Sequence, residues 1–315
     1  MRAMVITSFG GPEVFEAREV PTPEPKPDEV RVKVHATSIN PVDLKIRQAG
    51  QWAGIEPPTV IGYDVSGVID AVGEAVHDFT VGEQVYYTPL IFGQQGSYAE
   101  YHVANEAIVA AKPANLSHAE AASIPLAGGT AWDALITRGD LKVGETVLIH
   151  GAGGVGSLAI QIAKAAGARV FVNCSDYMVG LAERLGAQRA ISYKSEDFLE
   201  IIDSETGGAG VNLVFDTVGG DYLSKSIAVT APFGRMVGIV SNSQGSMSAA
   251  FQKNITVHTM FLQRARYKLK ALKQLIEREQ LKPVIDSVLP LEQVAQAHQR
   301  LAAGGVKGKI VLEVN

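Results

Sequence analysis

The clearest chemical signal in the chain is the run Gly151-Ala152-Gly153-Gly154-Val155-Gly156. Gly151, Gly153 and Gly156 fit G-x-G-x-x-G, the spacing that cradles a dinucleotide pyrophosphate. The first glycine lets a strand turn sharply, and the second leaves room for phosphate beside the backbone. The third lets the following helix pack closely on the strand. First-turn N–H groups of that helix, around Gly154 and Val155, have no intrahelical partners. They offer an anion hydrogen bonds and the positive end of the helix dipole.

Other reactive constellations are missing. The seven histidines are scattered and make no close ligand pair, and no Ser-His-Asp or Cys-His arrangement stands in motif context. His150 is the one histidine next to the glycine turn. Cys174 is the single cysteine, so neither an intramolecular disulfide nor a cysteine-rich metal site can form.

The glycine turn needs elements to hold it, and its flanks supply them. Thr146 to Ile149 is a short apolar strand, and Leu158, Ile160, Ile162, Ala163 and Ala166 give the following helix an apolar pattern. Gly167-Ala168 stops that helix, and Arg169 to Asn173 begins a second strand. The whole is a βαβ unit of about 30 residues. Further strands at Ala190 to Ser192, Val211 to Asp216 and Gly234 to Val240, with helices at Ala119 to Ile124, Thr130 to Thr137 and Tyr177 to Leu185, alternate as in a parallel sheet with helices on both faces. The fold class is α/β.

Upstream, residues 1 to about 118 read as β-rich. Glu29 to Ala36 alternates strictly between apolar and polar, and Ala3 to Thr7, Val65 to Val72, Gln84 to Thr88 and Ser97 to Val103 are further strands. The run Pro21-Thr22-Pro23-Glu24-Pro25-Lys26-Pro27 is an extended connecting loop, or a ligand for a polyproline-reading domain. Leu262 to Gln280 reads as one long helix. Leu269, Leu272, Leu275 and Ile276 form its apolar face, and Arg264, Arg266, Lys268, Lys270 and Lys273 form a solvated basic face, or one that meets phosphate. A helix around Leu291 to Ala302 and a strand from Lys309 to Val314 close the chain.

Length and composition allow about two domains: 315 residues, 46% hydrophobic and 19% charged. A net charge of −5 gives no reason to expect nucleic acid or an acidic membrane surface as partner. No apolar run reaches 18 residues and no signal-peptide core is visible near Met1, so a soluble, cytoplasmic protein is expected.

Several local patterns occur in a fixed order: Asn40-Pro41-Val42-Asp43, Gly62-Tyr63-Asp64-Val65-Ser66-Gly67, Val81-Gly82-Glu83-Gln84-Val85 and Gly96-Ser97-Tyr98-Ala99-Glu100-Tyr101. They continue with Pro125-Leu126-Ala127-Gly128-Gly129-Thr130-Ala131, the glycine turn, Asp216-Thr217-Val218-Gly219-Gly220 and Gly308-Lys309-Ile310-Val311-Leu312. In this order they resemble the medium-chain dehydrogenase/reductase superfamily, and within it the zinc-independent quinone oxidoreductase (zeta-crystallin-like) branch. The resemblance implies a GroES-like catalytic domain of residues 1–118 and 266–315, a Rossmann domain of residues 119–265 inserted into it, and an active site in the cleft between them. By family analogy it also implies a homodimer.

Zinc relatives hold their catalytic metal with cysteine and histidine. On the shared motifs those ligands fall at Asn40, Tyr63 and near Leu126, none of which suits Zn²⁺. No cysteine lies between Gly67 and Ser97 to build a structural zinc lobe. No metal is expected. The resemblance places Asn40 and Asp43 beside the nicotinamide and makes Tyr63 a candidate proton donor. It also makes Thr130, Val240, Ser241 and Lys309 cofactor contacts.

The cofactor choice rests on the strand end Val172-Asn173-Cys174-Ser175. NAD-binding units usually place Asp or Glu there, and Asn173 occupies that position. A carboxylate would repel a 2′-phosphate, so its absence favours NADPH over NADH, with Ser175 and Tyr193 as phosphate contacts. One departure stands against this: the basic residue of the following helix aligns with Met178, and Asp176 is near. The resulting expectation is a zinc-free NADPH-dependent reductase of a quinone or α,β-unsaturated carbonyl. The alternatives are an enoyl-CoA or other enoyl-thioester reductase, and a non-catalytic NADPH-binding protein.

Overall fold

The computed structural model describes residues 1–93 and 95–314. Gln94, in the loop Leu90 to Gln95 that separates two of the motifs above, lies outside the described residues. Contacts divide the chain into two units: Met1–Gly129 with Arg264–Arg278 and Pro283–Asn315, and Thr130–Gln263 with Glu279–Lys282.

The first unit is built on a seven-stranded sheet. Its order runs Ile285–Pro290, Lys309–Glu313, Glu29–Ser38, Val65–Val72, Gln84–Tyr87 and Ala110–Ala111, with Tyr101–Asn105 also pairing Glu29–Ser38. The alternation in Glu29 to Ala36 comes out as read: Val30, Val32, Val34 and Ala36 are buried. A second sheet holds Phe15–Glu19, Arg2–Ile6 and Thr59–Val60. The end of the chain returns to pair antiparallel with the strand before Asn40, Val311 opposite Ser38 and Leu312 opposite Thr37. Ile39 N donates to Ile310 O at 2.9 Å, which brings Lys309 next to Asn40.

Two of the sequence motifs clasp each other in this unit. Gly62 has φ +111°, and a Cβ there would stand 2.4 Å from the Tyr98 ring. Ser97 N donates to Gly62 O at 3.0 Å, and Tyr98 N to Ile61 O at 3.0 Å. These bonds take residues 97–98 out of the expected strand, which runs Tyr101–Asn105 instead.

Helix His118–Ala122 packs on the strands Glu29–Ser38, Val65–Val72 and Lys309–Glu313, and Ala122 joins Ala36 and Val311 in one buried cluster. Residues 119–129, expected in the inserted domain, therefore sit with the first unit, because this helix closes its sheet. The expected long helix also changes. It runs only Arg266–Glu277, since Ala265 is extended (φ −160°, ψ 129°). Of its basic residues only Lys270 is left exposed to solvent. Lys268 is buried, Arg266 pairs with Asp78, Arg264 donates to Pro89 O at 3.2 Å, and Lys273 donates to Lys112 O at 3.1 Å.

The second unit is a six-stranded parallel sheet in the order Arg189–Ser192, Arg169–Cys174, Thr146–His150, Val211–Asp216, Thr230–Gly238 and Thr256–Thr259. Val147, Leu148, Ile149, Phe171, Val214 and Phe215 are fully buried, as strands covered on both faces demand. Each such side chain contributes about 1.5–3 kcal/mol on leaving water. Strand order turns at Thr146–His150, and the register levels His150 with Asn173 and Asp216, and Asp216 with Gly238. Ligands of open α/β sheets bind outside this carboxyl edge, at the turning point.

Candidate functional site

In the second unit the glycines take the roles their spacing predicts. Gly151 has φ +92°, and its N–H donates to Asn173 O at 2.8 Å. A Cβ on Gly156 would stand 2.0 Å from Gly151 O, so helix Gly154–Ala165 meets the strand end only without a side chain there. A Cβ on Gly153 would meet nothing within 4 Å. Gly153 thus faces open space at the start of a twelve-residue helix, which is the geometry a pyrophosphate needs.

Around this turn stand several of the expected residues. Asn173 is buried; its Nδ2 lies 3.1 Å from His150 Nδ1, and its Oδ1 has no partner. His150 Nε2 lies 2.8 Å from Ser226 Oγ, which itself donates to Tyr222 O at 2.8 Å. That network assigns the imidazole hydrogen to Nε2 and leaves Nδ1 as acceptor for Asn173. Burial holds His150 neutral, its pKa down at about 3. Its Nδ1 holds the Asn173 side chain in place. Ser175 Oγ donates to Tyr193 OH at 3.2 Å, so the structure brings these two together, with Tyr193 exposed. Beside them, Asp176 accepts from Ser192 Oγ and lies 3.6 Å from Lys194 Nζ. Lys194 is the cation near this corner that the sequence reading did not single out.

Thr130 is buried in helix Pro125–Trp132, which passes into the π-helical stretch Asp133–Arg138. The loop carrying Val240 and Ser241 packs on the glycine loop after Asp216: a Cβ on Gly219 would stand 2.8 Å from Val240 and 2.1 Å from Asn242.

In the first unit, Asn40, Asp43 and Tyr63 come together in a buried polar cluster. Asn40 caps helix Pro41–Ala49, and its N–H donates to Asp43 Oδ2 at 2.8 Å. Its side chain turns away from the helix. Nδ2 donates to Asp64 Oδ2 at 2.7 Å, and Oδ1 accepts from Lys309 Nζ. Lys309 also donates to Ile39 O at 2.9 Å and to Asp64 Oδ2 at 3.4 Å. Asp64 takes two more hydrogens, from Ser38 Oγ at 2.6 Å and from Leu126 N at 2.8 Å. Every hydrogen of Asn40 and Lys309 is therefore spoken for within the cluster.

Asp43 is fully buried. Tyr98 OH donates to its Oδ2 at 2.7 Å, while Oδ1 has no partner. Burial raises its pKa to about 7, against the opposing pull of the Tyr98 and Asn40 hydrogen bonds and of Lys309. His298 Nε2 lies 3.2 Å from Tyr98 OH, and its pKa falls to about 3 through burial. Tyr63 is also fully buried, and its hydroxyl has no partner. Burial pushes its pKa well up, aided by Asp43 and opposed by Arg264. Arg264, Tyr98, His298 and Asp64 belong to this cluster; the sequence pointed Arg264 to a basic outer face and gave the other three no role of their own.

A zinc site does not fit this donor set. The three positions that align with zinc ligands hold an amide, a phenol and an aliphatic side chain, and the carboxylate they surround, Asp64, is already paired with the Lys309 ammonium. Among the described residues, no group of three or more His, Cys, Asp or Glu is placed to hold a metal ion. Nor is any helix among them long and apolar enough to cross a membrane.

Comparison with known proteins adds to this geometry. Residues 26–114 match the alcohol dehydrogenase GroES-like domain, and residues 185–312 match the zinc-binding dehydrogenase family. Human quinone oxidoreductase is 34% identical over 325 aligned residues, covering 99% of this chain and 97% of that protein. The chloroplastic NADPH-dependent alkenal/one oxidoreductase of Arabidopsis thaliana is 35% identical, covering 99% of this chain and 79% of that protein. Among solved structures, the quinone oxidoreductase of Coxiella burnetii superposes with a TM-score of 0.91 at 34% identity, covering 100% of this chain and 99% of that one. A structure described as an NAD-dependent alcohol dehydrogenase superposes with a TM-score of 0.93 at 34% identity, covering both chains completely.

Proposed function

The chain belongs to the medium-chain dehydrogenase/reductase family, in its quinone oxidoreductase branch, and is an oxidoreductase. On that premise we propose that it reduces a quinone or an α,β-unsaturated carbonyl with NADPH and without a metal.

NADPH, when bound, supplies the hydride. The protein's part is to hold it, orient the acceptor and deliver a proton. Gly151, Gly153, Gly154, Val155 and Gly156 would hold its pyrophosphate. Ser175 and Tyr193 take the adenosine phosphate, with Lys194 offsetting the neighbouring Asp176. Thr130, Asn173, Val240 and Ser241 complete the contacts.

The observation that carries the acceptor side is the Tyr63 hydroxyl, a buried donor with no acceptor. Leaving such a group unmade costs about 1–3 kcal/mol, which a carbonyl oxygen entering the site would recover. When hydride reaches a quinone or an enone β-carbon, negative charge collects on that oxygen. A donor already aimed there stabilises it. Asn40 is unsuited to this task, because both its amide hydrogens are engaged. Asp43, its pKa raised by burial to about 7, is the carboxyl of the cluster placed to exchange a proton near neutral pH.

Two observations favour NADH as a second reading. Asp176 stands exposed beside Ser175, and Met178 is buried where a phosphate-binding cation is expected. Initial rates with each nucleotide and a common quinone decide it: the proposal expects the higher kcat/KM with NADPH, and equal or higher kcat/KM with NADH overturns it.

A further inference from the structure

Lys309 carries an inference that rests on the acceptor-site reading of Tyr63 and Asp43, the second of which Asn40 holds in place. The three positions that align with zinc ligands meet at one carboxylate: Asn40 Nδ2 and Leu126 N both donate to Asp64, and Tyr63 is its chain neighbour. Into that place the strand Lys309–Glu313 delivers an ammonium. The delivery is rigid. Lys309 N donates to Val284 O at 2.9 Å, and Gly308, at φ +89°, would bring a Cβ within 2.1 Å of the same oxygen.

We propose that Lys309 is a positioning residue: its buried ammonium is the resident cation of the vacated ligand site, and it locks the Asn40 carboxamide in one orientation against Asp64. The three ammonium hydrogens match three oxygens, Ile39 O, Asn40 Oδ1 and Asp64 Oδ2. Flipping the Asn40 amide would turn its NH₂ onto an ammonium and its oxygen onto a carboxylate. Both contacts become repulsive, so one rotamer remains. In this arrangement no hydrogen of Lys309 is left for a nucleotide phosphate. Its part is to fix Asn40, and with it the start of helix Pro41–Ala49 and the place of Asp43.

The test compares the parent protein with Lys309→Met and with the paired variant Lys309→Met/Asp64→Asn. The single variant strands a buried carboxylate and lowers Tm; the pair removes both charges and recovers most of it. Positioning predicts that kcat stays at least about tenfold below the parent in the pair, while NADPH Kd changes less than about twofold. Recovery of kcat together with Tm overturns the proposal in favour of a structural ion pair. A rise in NADPH Kd larger than the fall in kcat overturns it in favour of a cofactor contact. If the parent reduces no quinone or enone, the reading of the reaction fails separately. The inference is then decided by NMR of the Asn40 side-chain amide: shifted and faster-exchanging NH₂ resonances in the pair support it, and an unchanged pair of resonances contradicts it.

Discussion

The Tyr98 hydroxyl donates to Asp43 Oδ2 at 2.7 Å, yet the carboxyl it serves still titrates near pH 7. Burial outweighs the hydrogen bonds. In the unfolded chain the same group titrates at about 3.9. A raised folded pKa means that folding favours the protonated form. The contribution is fully present below about pH 4 and is lost as pH rises through 7. Thermal melts from pH 4 to 8 should show it as a difference between the parent and Asp43→Asn. The parent should lose stability relative to the variant over this window, by on the order of a few kcal/mol. Three buried histidines and the half-buried His118, with pKa values lowered to about 3 to 4, act in the opposite sense as pH falls and cancel in the comparison. A difference that does not change with pH would remove Asp43 as the titrating group.

Tyr63→Phe separates chemistry from folding. The hydroxyl has no partner to lose, so Tm should stay level or rise. If Tyr63 donates to the acceptor oxygen, kcat should fall about 10²-fold with NADPH Kd unchanged. An unchanged kcat takes Tyr63 out of the mechanism.

Gly153 and Gly156 lie three residues apart and should respond differently to alanine. Gly153 has φ −70° and open space at its Cβ, so Gly153→Ala should fold with an unaltered Tm. Its methyl would occupy the space proposed for the pyrophosphate and raise NADPH Kd by about tenfold or more. Gly156→Ala drives a methyl into Gly151 O and should lower Tm. Tight nucleotide binding by Gly153→Ala would show that the pyrophosphate does not sit at this turn.

The corner at Ser175 and Tyr193 is the place proposed to read the nucleotide's 2′-phosphate. Lys194→Ala should raise KM for NADPH and Asp176→Asn should lower it. Each change should be about two- to fivefold, as expected of exposed charges, and both should shrink at high salt. KM for NADH should scarcely move. Parallel changes for both nucleotides would show that neither residue reads the 2′-phosphate.

Much of this was legible in the sequence because local patterns state local geometry. The G-x-G-x-x-G spacing, the strict alternation from Glu29 and the apolar strand Val211–Asp216 each depend on near neighbours alone. The first-unit cluster was legible only in part. Asn40, Asp43 and Tyr63 were flagged, but Lys309 reaches Asn40 across 269 positions and His298 reaches Tyr98 across 200. Periodicity carries no trace of such pairs. One local signal passed unused: Asn-Pro-Val-Asp sets a cap, a proline at the first helical position and an acid at the third, which together announce helix Pro41–Ala49. The basic residues after Leu262 misled because charge suggests solvent. Arg264, Arg266 and Lys268 are instead turned inward, where backbone carbonyls and acidic partners receive the first two.

Metal-free hydride transfer from NADPH to a quinone or enone is open to a simple rate assay. The most direct measurement is the initial rate of NADPH oxidation by the purified protein, treated with a chelator, against a panel of 1,2-quinones, 1,4-quinones and short enones. Saturable turnover is expected with at least one of these acceptors, undiminished by chelation and faster than with NADH. Absence of turnover above the uncatalysed rate with every acceptor, or activity that chelation abolishes and zinc restores, would contradict it.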